Sequence, residues 1–317
     1  MRTITALFVG LGSIGTRHLK NLANLCADRG WTLQADALRS DLTRPLRPGA
    51  AELLHAQYTD LTAAPAHYDM VFITNPTSLH AEALRQVKGR GEALFIEKPI
   101  FSAEQTGLAL DELLPAGQKA YVAAPMRWCG AMLALKDRLP ALHPYCARVI
   151  CSSYLPDWRP GVDYRTVYSA RKALGGGVTI DLIHEWDYLV ELFGVPEKLY
   201  NFKGTYSELE IDSDDLSVYI AKDPTLLAEV HLDYFGRGYR RSIELFCRDG
   251  SYLADFGKGT LTLPDGTVQH YEEDVNRRYE REMEYFVDYA LTGCGESCNP
   301  PALALKVLKL TLGENVQ

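Results

Sequence analysis

The chain has 317 residues, 33 basic against 41 acidic side chains, a formal net charge of −8, and 47% hydrophobic with 23% charged residues. This is an ordinary folded-protein balance, with length enough for two domains that each bury a core. The acidic excess, without a Lys/Arg block, excludes a nucleic-acid binder that relies on phosphate neutralisation. No stretch reaches the roughly 18–20 apolar residues of a membrane span.

The apolar start, Thr5–Val9, runs straight into a glycine loop and lacks a signal peptide's cleavage site. It reads as a strand, and residues 14–28 follow as a helix with Ile14, Leu19, Leu22 and Cys26 on one face. A second strand is expected at Trp31–Leu38, then others at Met70–Thr74, Ala93–Ile96 and Ala120–Ala124. Helical patterns at Leu79–Val87 and Glu104–Leu114 separate them. Strand–helix alternation of this kind predicts a parallel sheet covered on both faces.

Near residue 125 the pattern changes, so a first domain is expected over 1–125 and a second over 126–317. A helix at 130–139 leads to an extended run, Arg148–Tyr154, and a loop rich in Pro, Trp and Arg. Glycines 175–177 precede one helix at about 179–193. Residues 198–272 alternate with period two: Ala228, Val230, Leu232 and Tyr234 in one run, Ile243, Leu245 and Cys247 in another. Pro264-Asp265-Gly266 marks a tight turn. The second domain is thus read as α+β, with a large, mostly antiparallel sheet that has one polar and one apolar face. Helices at 277–292 and 301–312 close the chain. The seven cysteines (26, 129, 146, 151, 247, 294 and 298) form no Cys-x-x-Cys pair, and Cys294 with Cys298 is a chance loop pair. Neither a disulfide framework nor a metal site is expected, and a reduced, cytoplasmic setting fits.

Gly10-Leu11-Gly12-Ser13-Ile14-Gly15 sits where the first strand turns into the first helix. Its first glycine allows the tight turn, its second lets a pyrophosphate approach the backbone, and its third lets helix and strand pack closely. The helix N-terminus then favours phosphate charge, so a dinucleotide site is expected here. At the end of the second strand, where NAD sites carry an acidic residue, stand Arg39 and Ser40. A planar cation and a hydroxyl suit a 2′-phosphate, which favours NADP over NAD. Thr74, Asn75, Pro76 and Thr77 follow the third clear strand, and Glu97, Lys98 and Pro99 the fourth. Both segments should face the cofactor, since ligands bind outside the carboxyl ends of such strands. A buried lysine at 98 is suited to hydrogen-bond a substrate hydroxyl.

Asp181 and His184 are three apart, so a continuous helix would put them on one face, with Asp187 one turn beyond to orient the ring. A histidine near its intrinsic pKa of ~6.5 is suited to proton transfer at neutral pH. In the segment 154–168, Tyr154, Trp158, Tyr164 and Tyr168 offer faces for a sugar ring. Arg159 and Arg165 offer partners for a phosphate or carboxylate, and Arg127 follows the last strand of the first domain.

The chain resembles the Gfo/Idh/MocA family of NAD(P)-dependent sugar and inositol oxidoreductases. The resemblance is carried by GLGSIG with Arg17-His18, TNPTSLH at 74–80, EKP at 97–99, GGGVTIDLIHEWD at 175–187, IDSDD at 211–215, and Asn276, Tyr279, Glu282 and Phe286. It implies an N-terminal Rossmann domain, cofactor contacts that include His80 and Glu97, and a C-terminal sheet that makes a homodimer or homotetramer. It also implies that Lys98, Asp181 and His184 hold the family's catalytic positions. The aspartate stands three residues before the histidine, where the family commonly has four, so His184 transfers more safely than Asp181.

The implied reaction is hydride transfer between the nicotinamide and a carbinol or keto carbon of a sugar, sugar phosphate, nucleotide sugar or cyclitol. In it His184 takes the proton, Lys98 bonds the same oxygen, and Asp181 positions the substrate. Two other readings remain open at this point: a glycosidase with transient oxidation and a held cofactor, and a dinucleotide-binding protein without turnover.

Overall fold

The computed structural model describes residues 2–292 and 296–316, so Cys294 and its flanking glycines lie outside the described residues. Contacts divide the chain into two compact units, Met1–Ala123 with Tyr279–Leu305, and Ala124–Arg278 with Lys306–Gln317. No helix of the described residues is long and apolar enough to cross a membrane.

The first unit holds β1 (Thr3–Val9), β2 (Thr32–Leu38), β3 (Leu54–Tyr58), β4 (Tyr68–Ile73), β5 (Gly91–Ile96) and β6 (Lys119–Val122), with helices α1 (Ser13–Asp28), α2 (His80–Gln86) and α3 (Leu110–Leu113). The strands run parallel in the order β3-β2-β1-β4-β5-β6, which reverses at β1 as in a doubly wound Rossmann sheet. Central strands buried on both faces need continuous apolar runs. Leu7, Phe8, Val71, Phe72, Phe95 and Ile96 supply them, all at 0% exposure. Phe8 stacks on Phe72 at 4.5 Å, and Phe72 continues to Phe95 at 5.3 Å.

Tyr279–Leu305 returns to this unit, and side chains explain why. Phe286 sets its ring edge-on to both Phe72 and Phe95. Tyr121 donates to Glu282 at 2.9 Å, and Asn299 exchanges two bonds with the Val122 backbone along β6. The division expected at 125/126 therefore falls at 123/124, and the chain crosses back later. The helix expected at 104–114 is instead a turn at Ala103–Gln105 and the single turn α3. Gly107 between them carries the backbone entropy that disfavours a continuous helix.

The second unit is built on an eight-stranded sheet: β7 (Cys146–Tyr154), β8 (Lys198–Gly204), β9 (Leu216–Lys222), β10 (Leu227–Asp233), β11 (Phe235–Cys247), β12 (Gly250–Asp255), β13 (Thr260–Thr262) and β14 (Val268–His270). The order is β14-β13-β12-β11-β7-β10-β9-β8, antiparallel except where β7 meets β10. Helix α4 (Gly130–Arg138) packs on β12 and β13, and α5 (Val178–Asp181) on β9 and β10. A further helix, α6 (His184–Phe193), buries Trp186, Tyr188 and Leu189.

Strand alternation assigns the two sheet faces. Ala147, Val149 and Cys151 of β7 are buried, while Arg148, Ile150, Ser152 and Tyr154 face the uncovered side. One helix was expected over 179–193, and two are found. The amides of Ile183 and Glu185 bond back three residues, to Ile180 and Leu182, which tightens the chain and ends α5 at Asp181.

Candidate active site

Val9, Ile73 and Ile96 lie in register, so the loops after β1, β4 and β5 leave the sheet side by side. Gly10 has φ +87°, and a Cβ on it would stand 2.8 Å from the Asn75 Cα. A Cβ on Gly15 would stand 2.6 Å from Thr74 Oγ1 and 2.7 Å from the Gly10 carbonyl oxygen. Thr74 Oγ1 donates to that same carbonyl at 2.5 Å. First and third glycines are thus packed against the end of β4. Gly12 is the opposite case, since a Cβ there would meet nothing within 4 Å.

Gly12 is also the N-cap of α1, with no side-chain cap and no acidic residue in the first turn. The amides of that turn, at Ser13, Ile14 and Gly15, face an open cradle without a competing side chain. Asn75 Oδ1 is buried with no partner among the described residues. This cradle, open at Gly12 and headed by an unopposed helix dipole, fits the pyrophosphate of a dinucleotide.

Other expected cofactor contacts prove to be engaged inside the protein. Glu97 Oε1 bonds His18 Nε2 at 2.5 Å, and Glu97 Oε2 accepts the Lys98 amide. Burial pushes the Glu97 carboxyl up, but the bond and charge of His18, with the charge of Lys98, outweigh it and hold it below the usual range. His80 is buried between the carbonyls of Ile100 and Asn75, where burial lowers its pKa. Thr74, His80 and Glu97 therefore shape the loops rather than present polar groups outward. Pro76 and Ser13 are exposed, and Lys98 is half-buried with no ion pair among the described residues. Arg39 donates to Gln57 Oε1 at 2.7 Å and to the Arg44 carbonyl, while Ser40 is exposed. Asp36, inside β2, is consumed by Tyr68 and His55.

In the second unit the glycines 175–177 serve packing. A Cβ on Gly176 would stand 2.0 Å from the Tyr168 carbonyl, and one on Gly177 2.4 Å from Asp214 Oδ1. Asp214 Oδ2 accepts the Thr179 amide at 2.9 Å, and Asp215 accepts the amides of Tyr206 and Ser207. Residues 168–169 are thereby fixed beside α5. Asp181, at the end of α5, accepts the hydroxyls of Tyr168 and Tyr234, the latter at 2.5 Å. Burial first, then the Asp181 charge, pushes both phenols up. His184 opens α6 and is half-buried.

Asp187, expected to orient the His184 ring, takes the buried Arg127 guanidinium on its carboxylate at 2.9 and 2.8 Å. Arg127, expected to meet substrate, is turned inward at 2% exposure. Tyr154 lies on the uncovered face of the sheet, under the Arg237 guanidinium at 3.7 Å. Its neighbour Ser153 points to the other face and accepts Trp158 Nε1 at 3.0 Å, which separates Tyr154 from Trp158. Tyr164 accepts the Glu210 amide, and Arg165 is held by Asp163 and Glu210.

Residues 4–123 match the family model described as oxidoreductase family, NAD-binding Rossmann fold. These residues belong to the Gfo/Idh/MocA family. The chain is also 24% identical over 308 residues to the uncharacterized oxidoreductase YrbE of Bacillus subtilis (strain 168), covering 90% of this chain and 86% of that protein. It is 26% identical over 200 residues to inositol 2-dehydrogenase of Rhizobium meliloti (strain 1021), covering 61% of this chain and 56% of that one. The fold is similar to that of a levoglucosan dehydrogenase solved with NADH and levoglucosan, with a TM-score of 0.81 at 15% identity over 98% of this chain and 96% of the other.

Three features of this chain escape a reading of the sequence. Tyr234 reads only as an apolar position of an alternating strand. Arg241 forms a buried two-point pair with Glu185 at 2.7 and 3.0 Å; Glu185 stands in the 175–187 motif, but its partner lies in no recognisable motif. Arg44 and Arg47 join Arg39 around a cleft of about 440 Å³ after β2, also lined by Glu52 and Gln57.

Proposed function

We propose that the chain is an NAD(P)-dependent dehydrogenase or reductase acting on a carbinol or keto carbon of a sugar-like substrate: a sugar, sugar phosphate, nucleotide sugar or cyclitol. The observation that carries this reading is the open Gly12 cradle at the uncapped start of α1, with Lys98 standing beyond the end of β5, two strands along the sheet. The inositol and levoglucosan dehydrogenases among the similar proteins support a polyol substrate.

When bound, the dinucleotide supplies the hydride acceptor or donor. Gly10, Gly12, Ser13, Ile14 and Gly15 hold its pyrophosphate, and Asn75 and Pro76 border it. Lys98 hydrogen-bonds the substrate oxygen and offsets developing alkoxide charge. His184 takes or returns the hydroxyl proton. Asp181 positions the substrate by way of Tyr168, which it holds, and Trp158, Arg159 and Tyr168 meet it.

We favour NADP over NAD because Arg39, Arg44 and Arg47 surround one cleft beside the end of β2. Fluorescence titration with NADPH and NADH tests this. Native protein is expected to prefer NADPH, and Arg39→Asp to cut the NADPH:NADH affinity ratio by at least ~10-fold, the worth of one charge-assisted contact. Equal affinities in the native protein would remove the role given to Arg39.

We also propose that the uncovered face of the second sheet pairs with a second copy of the chain. Phe202 is 72% exposed and Tyr200 52%, beside Ile220 on the adjoining strand. Exposed apolar groups clustered in this way mark contact surfaces. Light scattering should give at least twice the chain mass, falling toward one chain in Phe202→Asp. A native monomer at micromolar concentration would contradict it.

A further inference from the structure

The arginines of the second unit that the sequence offers as anion partners meet different fates. Arg127 is committed to Asp187, and Arg165 to Asp163 and Glu210. Arg159 is exposed and makes no ion pair among the described residues. Its charge acts on the Tyr168 phenol. Trp158, next to it, is pinned by Ser153 and sets its ring edge-on to Tyr234 at 5.2 Å. Arg159 thus follows directly on a residue fixed against Tyr234 of the Tyr168–Asp181–Tyr234 cluster.

That cluster fixes what Tyr168 can say to a ligand. A phenol has one proton, and Tyr168 gives it to Asp181 Oδ1. Tyr234, wholly buried, occupies the other carboxylate oxygen, so Asp181 cannot turn away from Tyr168 without breaking a second bond. The exposed side of the Tyr168 oxygen thus offers only lone pairs, which require a donor. Arg159 offers only N–H groups, which require an acceptor and reward a negative one.

We propose that Tyr168 and Arg159 together read one ligand edge on which a hydroxyl lies beside an oxyanion, as in a sugar acid or a sugar phosphate. The proposal rests on the reading of this chain as an enzyme of sugar-like substrates, and narrows it to anionic ones. Tyr168 is a specificity residue, and Tyr234 is a positioning residue that keeps it an acceptor.

Calorimetric titration of the native chain, in the presence of NADP⁺, tests this with matched probes. These are D-glucose, D-glucuronate and D-glucose 6-phosphate, and the same three forms of D-galactose. At least one anionic form is expected to bind at least ~10-fold tighter than its neutral sugar, the smaller effect expected of a charge-assisted hydrogen bond. Tighter binding of the uronate would name a carboxylate as the oxyanion, and of the 6-phosphate a phosphate.

Arg159→Met should abolish the anion preference, weakening the anionic forms far more than the neutral sugars. Tyr168→Phe should weaken neutral and anionic forms alike, a pattern that loss of folding would not produce if cofactor affinity is retained. Neutral sugars bound as tightly as anionic ones, or an anion preference that survives Arg159→Met, would overturn the proposal and leave the enzyme reading standing. Failure of every probe to bind, together with no oxidation of any neutral or anionic sugar, would overturn both.

Discussion

Lys98→Met and His184→Ala are each expected to lower turnover by at least ~100-fold, the lower end of what a positioned proton-transfer group contributes. Lys98 follows Glu97 at the end of β5, where the backbone is anchored by the Glu97 amide's bond to Ile73 and by the Glu97–His18 pair. Lys98 is half-buried and its ammonium has no ion pair among the described residues, so it can respond to charge on a substrate oxygen. Methionine keeps the length of the side chain and removes the charge.

His184 starts α6 immediately after the break at residues 182–183, a position the buried residues Glu185, Trp186 and Asp187 hold rigidly. The check is steady-state kinetics on a substrate that the native chain turns over, with melting temperature and cofactor affinity measured in parallel. Turnover should collapse while dinucleotide binding is retained. Native turnover in either variant would remove that residue from the chemistry.

Gly12→Ala and Gly15→Ala should separate binding from stability. At Gly12 the backbone is extended, with φ −73° and ψ −158°, and an added methyl meets nothing within 4 Å. The variant should fold as the native chain does. The methyl nevertheless occupies the space through which the pyrophosphate reaches the backbone, so dinucleotide affinity should fall at least ~10-fold, or about 1.4 kcal/mol.

At Gly15 the methyl would stand 2.6 Å from Thr74 Oγ1 and 2.7 Å from a backbone oxygen, so the α1–β4 contact must open. Overpacking of this kind costs about 1–3 kcal/mol and should appear as a lower melting temperature without cofactor. Thermal melts and dinucleotide titrations of both variants check the pair. Unchanged affinity in Gly12→Ala would mean that phosphate binds elsewhere.

Features carried by local pattern are legible in the sequence. The apolar runs of β1, β4 and β5 announce buried parallel strands, and the three glycines announce the turn into α1. Strand β3 is not legible, because an edge strand reading Leu-His-Ala-Gln-Tyr has neither a continuous apolar run nor a strong β-former at each inward position. Long-range pairing is hidden for a different reason. Asp181 and Tyr234 are 53 residues apart, and Arg127 and Asp187 are 60 apart, and no local spacing encodes such partners.

The motif residues divide accordingly. Glu97, Thr74 and His80 stand in segments that the family likeness singles out, yet their polar atoms hold His18, the Gly10 carbonyl and the 75–100 connection. A motif marks a segment that must keep its shape, and only the contacts tell which members face outward.

The reaction class itself is tested most directly by the near-ultraviolet absorbance of NAD(P)H. The purified chain would be mixed with excess NADP⁺ or NAD⁺ and a panel of neutral and anionic polyols. A dehydrogenase predicts reduced cofactor accumulating well beyond one equivalent per chain, with at least one polyol, and none in Lys98→Met. Accumulation that stops at or below one equivalent for every polyol, with both cofactors, would contradict the account.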